Sequence, residues 1–367
     1  MKIAVLTCGR SDYSIYLPLL KKLKNNKTFE LHLIVFGSHP YKEFGNTVKL
    51  IKKDGFNPVY VISALVMGDD EKSVAESMAL TIFKFAGVFD KDKYDLIFAL
   101  GDRFEMFAAV SASVPFNIPI AHLHGGEKTL GAIDEKFRHA ITVMSKYHFA
   151  STENHAKKLF TFIGNKKHIH NVGALALDNI SNLKLKTKNE LLKELNVDFN
   201  KPTLLATLHP ETVNASANKK IVQEFIKSIE KLGMQTIITL PNNDANNRII
   251  REALLNFCSK SNKVFSFDAL GPHLYYSCMK YCYAVVGNSS SGIIEAASFR
   301  KYTVNIGDRQ KGRDRGNNII DVPSDSNKII RAVQSITGLP ELNGNNIYGD
   351  GQTADRIIRL LKSISES

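Results

Sequence analysis

The chain begins MKIAVLTCGRSDYSIYLPLLKKLK, residues 1–24, and this stretch decides the fold class. Its first part, Ile3–Thr7, is apolar throughout, as expected of a buried strand. Its last part, Ser14–Lys24, is an amphipathic helical pattern. Between them, Gly9 permits a tight turn, and Ser14 or Asp12 can cap the helix. The stretch therefore predicts a strand, a loop and a helix in succession.

The same alternation continues along most of the chain. Helical patterns such as Val74–Val88, Lys219–Leu232 and Ser291–Phe299 separate short apolar runs. Alternation of this kind predicts parallel sheets with helices on both faces, and two series of strands predict two doubly wound α/β domains. The first series of strands is Ile3–Thr7, Leu31–Phe36, Val59–Ile62, Leu96–Leu100, Ile118–Leu123 and Tyr147–Ser151. The second series is Leu204–Leu208, Gln235–Leu240, Val264–Phe267, Ala284–Gly287 and Thr303–Ile306.

A polar stretch rich in Lys and Asn, Asp178–Pro202, separates the two series. A second irregular stretch, Thr337–Gln352, precedes a final helical pattern. The 367 residues suit two domains. We therefore expect an N-terminal domain at 1–178, a C-terminal domain at 179–350, and a helix within 351–367 that packs back on the first domain.

Composition limits the classes of function. No apolar run reaches the roughly 18–20 residues of a membrane span, and the N-terminus lacks the features of a signal peptide, so we expect a cytoplasmic protein with no membrane partner. The net charge of +12 comes largely from lysines scattered along helical patterns, which argues against nucleic-acid binding and suits a small polyanion. The four cysteines show no metal-binding spacing, so we expect reduced thiols and no metal site.

Ligands of open α/β sheets bind beyond the carboxyl ends of the strands, so polar residues at those positions are the candidates for function. In the first domain they lie in TCGRSDYS (7–14), GDRFE (101–105) and HLHGGE (122–127), followed by an acidic helix start at Asp134. Strand alternation would send His122 and His124 to the same side. A helix cap, a simple ion pair or a metal cluster remain alternatives for these groups.

Three further stretches follow strands of the second domain. LHPET (208–212) places a histidine at a strand end, and GNSSSGIIE (287–295) places small hydroxyl residues at a helix start, where backbone N–H groups can cradle a phosphate. Glu295 can accept hydrogen bonds from ribose hydroxyls. IGDRQKGRDR (306–315) adds a glycine-spaced basic loop at the same sheet edge. Together the last two suit a diphosphate, and the missing Walker lysine argues against ATP hydrolysis.

In this order, the motifs GRSDYS, GDRFE, HLHGGEKT, IDEKFRHAIT, HPET, GNSSSG and IGDRQKGR resemble those of the hydrolysing UDP-N-acetylglucosamine 2-epimerases of sialic acid biosynthesis. The resemblance spans Met1 to about Val322. It implies the GT-B architecture, in which two Rossmann-like doubly wound domains enclose the active site in their cleft and the C-terminal domain binds UDP. It also implies a homodimer, a UDP-sugar substrate, UDP as product, and no metal or other cofactor.

The resemblance also implies roles for individual positions. His124 is a departure from part of the family, since mammalian and non-hydrolysing relatives have a glutamate there. The positions expected to be catalytic are Asp102, His124, Asp134 and His209. The positions expected to bind the UDP-sugar are Arg10, Ser14, Arg103, Glu127, Glu135, Arg138, Asn242, Leu270, Ser289, Ser290, Gly292, Glu295, Arg309 and Arg313.

The implied reaction converts UDP-N-acetylglucosamine and water to N-acetylmannosamine and UDP through a 2-acetamidoglucal. The sequence leaves alternatives open. The first is a hydrolysing 2-epimerase acting on UDP-N,N'-diacetylbacillosamine, which would share every diphosphate contact. The others are a non-hydrolysing epimerase, a GT-B glycosyltransferase and a non-catalytic nucleotide-sugar sensor. Gly37–Tyr41 replaces a segment that non-hydrolysing relatives use to bind an activating UDP-sugar, and this argues against the second alternative.

Overall fold

The structure, a computed structural model, describes residues 1–68, 70–128, 134–181, 183–211, 217–241 and 247–366. The chain divides into two compact units. The first includes Met1–Glu127, Ile133–Asn179 and Tyr348–Ser367, and the second includes Ile180–Ile347. The chain therefore leaves the first unit, builds the second, and then returns to the first.

The first unit contains a parallel sheet of seven strands in the order β3-β2-β1-β4-β5-β6-β7. Its strands are β1 (Lys2–Thr7), β2 (Glu30–Val35), β3 (Tyr60–Val61), β4 (Leu96–Leu100), β5 (Ile120–Leu123), β6 (Tyr147–Ala150) and β7 (Ile169–Asn171). Its helices are α1 (Arg10–Lys24), α2 (Val48–Lys53), α3 (Glu71–Lys91), α4 (Phe104–Ser113), α5 (Asp134–Met144) and α6 (Glu153–Ile163), and α7 (Ala176–Ser181) lies at its boundary.

Both faces of this sheet are buried, as strand β1 illustrates. Ile3 and Val5 belong to one apolar cluster, and Ala4 and Leu6 belong to another. Successive side chains of a strand point to opposite faces, so the two clusters cover the two sides of the sheet. This explains why the strands are apolar throughout and do not alternate with polar residues.

The second unit contains a parallel sheet of six strands in the order β10-β9-β8-β11-β12-β13. Its strands are β8 (Thr203–Thr207), β9 (Gln235–Thr239), β10 (Val264–Phe267), β11 (Ala284–Gly287), β12 (Thr303–Ile306) and β13 (Ile319–Val322). Its helices are α8 (Lys188–Leu195), α9 (Asn218–Leu232), α10 (Asn247–Cys258), α11 (Gly271–Tyr281), α12 (Ser290–Ile294) and α13 (Ser326–Ser335). Leu204 and Leu205 lie in different clusters, so this sheet is also buried on both faces.

Most predicted strands agree with the structure to within one or two residues, and four of them (β4, β10, β11 and β12) agree at both ends. The prediction missed β7 and β13, which lie at sheet edges and carry polar residues. The predicted helix Ser291–Phe299 is also corrected. Its α-helical part, α12, ends at Ile294, and a 3₁₀ turn follows over Ala296–Phe299.

The last helix, α14 (Thr353–Ser365), packs on the first unit. Ala354, Ile357 and Leu361 are fully buried in the same cluster as Ile3. The buried carboxylate of Asp178 caps the start of α14, since it accepts hydrogen bonds from the backbone N–H groups of Thr353 at 2.9 Å and Ala354 at 2.7 Å. The start of α14, 175 residues after Asp178 in sequence, is thereby joined to the first unit.

Helix α1 contains a proline at position 18. Proline has no N–H to donate to the carbonyl four residues earlier, which is that of Ser14. The side-chain amide of Asn179 donates to this carbonyl at 2.8 Å. The helix therefore tolerates Pro18 because a residue at the end of the first unit replaces the missing backbone donor.

Helix α3, with 21 residues, has an unusual distribution of polar and apolar side chains. Ser73, Ser77 and Thr81 are buried, whereas Phe83 is 78% exposed. Neither α3 nor any other helix in the described part of the chain is long and apolar enough to cross a membrane.

We predict that Asp178→Ala lowers the free energy of unfolding of the first unit by about 1–2 kcal/mol, because two N–H groups at the start of α14 lose their acceptor. Urea denaturation followed by circular dichroism measures this change. Asp355→Ala on the same helix is the matched control, since Asp355 is 53% exposed and forms only a surface ion pair with Lys22. Equal effects of the two substitutions would show that the cap contributes nothing.

Candidate active site

The polar candidates of the first unit lie at the carboxyl ends of β1, β4 and β5, and those of the second unit at the carboxyl ends of β8, β11 and β12. In both sheets these strands are adjacent in space. Each unit therefore gathers its own candidates at one edge of its sheet.

Arg138, on helix α5, connects two of the expected catalytic residues. Its guanidinium forms an ion pair with the carboxylate of Asp102 through Nη2 and donates to the backbone carbonyl of His124 through Nη1 at 2.9 Å. The side chain of Arg138 is 3% exposed. Arg138 therefore connects the loops after β4 and β5, and its expected contact with substrate stays a prediction.

His124 and His122 have different environments. We expected strand alternation to send His122 and His124 to the same side. However, strand β5 ends at Leu123 and His124 has a left-handed φ of 64°, so strand alternation does not apply to the His124 side chain. His122 is fully buried and its ring nitrogens contact the Gly101 carbonyl at 2.8 Å and the Thr142 hydroxyl at 3.1 Å. Burial lowers the pKa of His122 to about 3, so this histidine is a neutral structural residue at pH 7.

Glu127 is 2% exposed, and its carboxylate is occupied by other residues of the first unit. One oxygen lies 2.5 Å from Nδ1 of His124 and accepts a hydrogen bond from the Ser151 hydroxyl at 2.9 Å. The other lies 3.7 Å from Nη1 of Arg138. This geometry orients the His124 ring, and the expected contact of Glu127 with substrate stays a prediction.

Asp134 and Glu135 lie in the first turn of α5. Burial and, secondly, the nearby charge of Asp102 raise the pKa of Asp134. Glu135 is 21% exposed and lies 3.9 Å from the ring of His139 on the same helix. Asp102 and Asp134 are thus two neighbouring carboxylates in different electrostatic surroundings, since one is paired with a guanidinium and the other has a raised pKa.

Arg103 is held by a bidentate contact with buried Glu105, at 2.8 and 3.2 Å. The charge of Glu105 raises the pKa of Arg103, so the guanidinium keeps its charge. Arg10 begins α1 and is exposed, and its carbonyl accepts a hydrogen bond from the Ser14 hydroxyl at 2.9 Å. These residues offer two cations at the ends of β4 and β1.

In the second unit, Asn288 joins three loops. Its side-chain oxygen accepts from the backbone N–H of His209 at 2.7 Å, and its side-chain nitrogen donates to the His209 carbonyl at 2.9 Å. Its own carbonyl accepts from Arg309 at 3.2 Å and from Gln310 at 2.9 Å. The sequence pointed to the serines of GNSSSG and missed Asn288, although its position directly after a strand end was a usable signal.

His209 is 7% exposed at the end of β8. Burial and, secondly, the charge of Arg309 lower its pKa to about 3, so the imidazole is neutral at pH 7. Among the described residues, its buried Nδ1 has no hydrogen-bond partner. A neutral imidazole of this kind can donate or accept a hydrogen bond to a bound ligand.

The serine segment begins helix α12. Ser289 has extended backbone geometry and its hydroxyl accepts from the N–H of Ser291 at 3.4 Å, while Ser290 is the first helical residue. Gly287 just before it has a φ of 134°, and a Cβ there would lie 1.9 Å from the Thr207 carbonyl oxygen. Only glycine therefore allows β11 to end so close to β8.

The remaining candidates have varied positions. A Cβ on Gly292 would lie 2.7 Å from the Thr303 side chain, so this glycine is required for packing. Leu270 precedes α11 with a buried side chain, and Arg313 is half-buried in the loop after β12. Asn242 lies outside the described residues. Among the described residues, no cluster of three or more His, Cys, Asp or Glu side chains is arranged to hold a metal ion.

Glu295 follows α12 and accepts hydrogen bonds from the Tyr276 hydroxyl, at 3.1 Å, and from the Ser291 hydroxyl. Burial raises the pKa of Glu295 to about 7, and the two hydrogen bonds partly oppose this rise. Burial of a carboxylate is unfavourable unless the carboxylate accepts enough hydrogen bonds. Glu295 is therefore suited to accept further hydrogen bonds from a ligand.

Comparison with known proteins adds independent information. The family model described as UDP-N-acetylglucosamine 2-epimerase matches residues 21–362. A Campylobacter jejuni protein described as GDP/UDP-N,N'-diacetylbacillosamine 2-epimerase (hydrolyzing) is 39% identical over 337 residues, covering 91% of this chain and 87% of its own. A Legionella pneumophila protein described as UDP-N,N'-diacetylbacillosamine 2-epimerase (hydrolyzing) is 34% identical over 363 residues, covering 99% and 96%.

Among solved structures, Neisseria meningitidis UDP-GlcNAc 2-epimerase bound to UDP-GlcNAc superposes with a TM-score of 0.84 at 18% identity, covering 99% of this chain and 100% of that chain. This likeness confirms the expected fold class, the GT-B class of two Rossmann-like doubly wound domains.

We predict that Glu295→Gln stabilises the protein relative to wild type as the pH rises from about 5 to 8, by up to about 2 kcal/mol. Because the folded-state pKa of Glu295 is raised to about 7, the folded protein retains a proton that the unfolded chain releases near its ordinary pKa of 4.5. Wild type therefore loses stability over this interval, whereas the glutamine variant lacks this titration. Thermal unfolding at several pH values measures the difference, with exposed Glu341→Gln as the control. Parallel pH profiles for wild type and Glu295→Gln would contradict the prediction.

Proposed function

The chain belongs to the UDP-N-acetylglucosamine 2-epimerase family, and on that basis we propose that this hydrolysing 2-epimerase acts on UDP-N,N'-diacetylbacillosamine. The sequence motifs alone led us to expect UDP-N-acetylglucosamine, with the diacetylated sugar as the alternative. The two hydrolysing relatives at 39% and 34% identity, both described as acting on the diacetylated sugar, favour that alternative and carry the proposal.

The proposed reaction has two steps. A base removes the proton from C2 while the bond between C1 and the UDP oxygen breaks, so that an alkene forms between C1 and C2 and UDP leaves with the electron pair. Water then adds its oxygen to C1, and a proton returns to C2 on the opposite face. The products are UDP and the free sugar inverted at C2.

Asp102 and Asp134 are our candidates for the proton transfers, assisted by His124 and His209. Neighbouring carboxylates with different environments are suited to opposite roles in acid–base chemistry. Asp134 has a raised pKa because of burial and the charge of Asp102, which favours a proton donor. The ion pair with Arg138 holds the Asp102 carboxylate in a fixed position.

A C2 proton is only weakly acidic, so its removal alone cannot drive the elimination. Stabilisation of the departing UDP must therefore dominate. Donors that are already in place around the departing diphosphate stabilise the charge that develops on it, and one such donor can contribute about 2.7–4 kcal/mol. Ser289, Ser290 and Arg309 are candidates in the second unit, and Arg10 is a candidate in the first. Arg309 is held in place by the carbonyl of Asn288. Glu295 is our candidate for the ribose hydroxyls.

UDP-N-acetylglucosamine is the second candidate substrate. The solved structure with the TM-score of 0.84 is described as binding that nucleotide sugar. At 18% identity this likeness supports the fold, and the substrate assignment needs an experiment that compares both sugars directly.

We predict turnover of UDP-N,N'-diacetylbacillosamine in deuterated water, with release of UDP and a free sugar that carries deuterium at C2, because the proton added to C2 comes from solvent. NMR spectroscopy follows both products in parallel reactions with UDP-N-acetylglucosamine. A much higher kcat/KM for UDP-N-acetylglucosamine would reverse the substrate assignment. Release of a UDP-linked epimer, or no turnover of either sugar, would refute the hydrolysing reaction.

We also predict that Asp102→Asn lowers kcat by about 100-fold or more and changes UDP affinity by less than about 3-fold, because the carboxylate acts on C2 and not on the diphosphate. Steady-state kinetics and calorimetric titration with UDP measure the two effects. Asp355→Asn, far along the sequence on α14, is the control for a generic loss of a carboxylate. Equal losses of turnover and UDP affinity would place Asp102 in binding.

A further inference from the structure

The carboxylate of Glu295 is held by two hydroxyl groups, one on each oxygen. Oε1 accepts a hydrogen bond from the Tyr276 hydroxyl at 3.1 Å, and Oε2 accepts one from the Ser291 hydroxyl. The two donors belong to different elements, since Tyr276 lies on α11 and Ser291 on α12. Together they fix both the position of the carboxylate and its rotation about the bond that carries it.

The Tyr276 side chain is itself fixed by its aromatic neighbours. Its ring stacks on that of Phe299, with centroids 5.9 Å apart and an angle of 25° between the planes, and contacts the ring of Tyr275 at 6.0 Å. Tyr276 is only 6% exposed. Because a tyrosine has two side-chain torsions and this ring is packed, the position of its hydroxyl is set by the fold before any ligand binds.

The hydrogen bonds leave Glu295 with acceptor capacity on both oxygens. An ionised carboxylate has about four lone-pair sites, and the two hydroxyls use one on each oxygen. Glu295 is partly exposed, so a ligand can reach it. Two acceptors on one carboxylate match two hydroxyls on neighbouring carbons of the same face of a ring, which is the arrangement of the 2′ and 3′ hydroxyls of ribose.

We propose that Tyr276 and Ser291 are positioning residues, which hold Glu295 so that each of its oxygens accepts a hydrogen bond from one ribose hydroxyl. This role rests on the proposed function, in which Glu295 meets the ribose of UDP. Neither residue was a candidate from the sequence. Because both act through Glu295 on a part of the ligand that does not react, their loss raises KM and leaves kcat nearly unchanged.

Calorimetric titration of the full chain with UDP and with 2′,3′-dideoxy-UDP tests the proposal. We expect wild type to bind UDP at least about 10-fold more tightly than the dideoxy nucleotide, since the buried carboxylate loses two donors when the hydroxyls are absent. Tyr276→Phe and Ser291→Ala should each weaken UDP binding by about 5- to 20-fold and dideoxy-UDP binding by less than about 2-fold.

Tyr283→Phe is the matched control. It removes the same hydroxyl group from the same unit, but Tyr283 bonds to the Thr337 hydroxyl at 2.8 Å and directly precedes β11, at the opposite end of that strand from α12. We expect it to change the affinity for either nucleotide by less than about 2-fold. Circular dichroism checks that every variant is folded, and Ser291→Ala provides an independent result on the same carboxylate.

Equal losses of UDP and dideoxy-UDP affinity in Tyr276→Phe and Ser291→Ala would show that the two residues act only in packing, and would overturn the proposal. A wild type that binds the two nucleotides equally well would also overturn it. These titrations need no turnover, so they are separate from the test of the reaction. A ribose preference that depends on both hydroxyls would stand even if neither UDP-sugar were hydrolysed.

Discussion

Burial of both faces of each parallel sheet is the constraint on which the rest of the structure depends. Because the strands are covered on both sides, their side chains supply packing and leave little room for polar groups. The candidate functional groups are therefore concentrated where strands end, at Asp102, His124, His209 and Arg309. The same constraint explains why glycine is required at position 287, where a Cβ would collide with the neighbouring strand.

At these strand ends, buried polar residues hold the candidate catalytic groups in place. Arg138 joins Asp102 to the backbone of His124, and Glu127 joins His124 to Ser151. In the second unit, Asn288 fixes the backbone of His209 and accepts from Arg309. Removing one of these partners would leave a buried group unsatisfied, which generally costs more than the net value of the hydrogen bond itself.

The sequence predicted the two-sheet organisation and most strands because apolar periodicity is a local property. It missed β7 and β13 because short edge strands need fewer apolar residues. It did not predict that Arg138 and Glu127 are buried, because burial of a charged side chain depends on contacts between distant segments. Asn288 was missed for the same reason, because its partner His209 is 79 residues away. The left-handed backbone conformation of His124 could not be predicted from the sequence, because only a glycine would have indicated it.

The position of α14 in the first unit has a consequence for synthesis of the protein. On the ribosome, Ala354, Ile357 and Leu361 emerge after every strand of the second unit has been made. The second unit can therefore close its sheet while the first still lacks one of its core helices. Folding during translation usually proceeds from the N-terminal domain onward. In this chain, the unit that begins first is the one completed last.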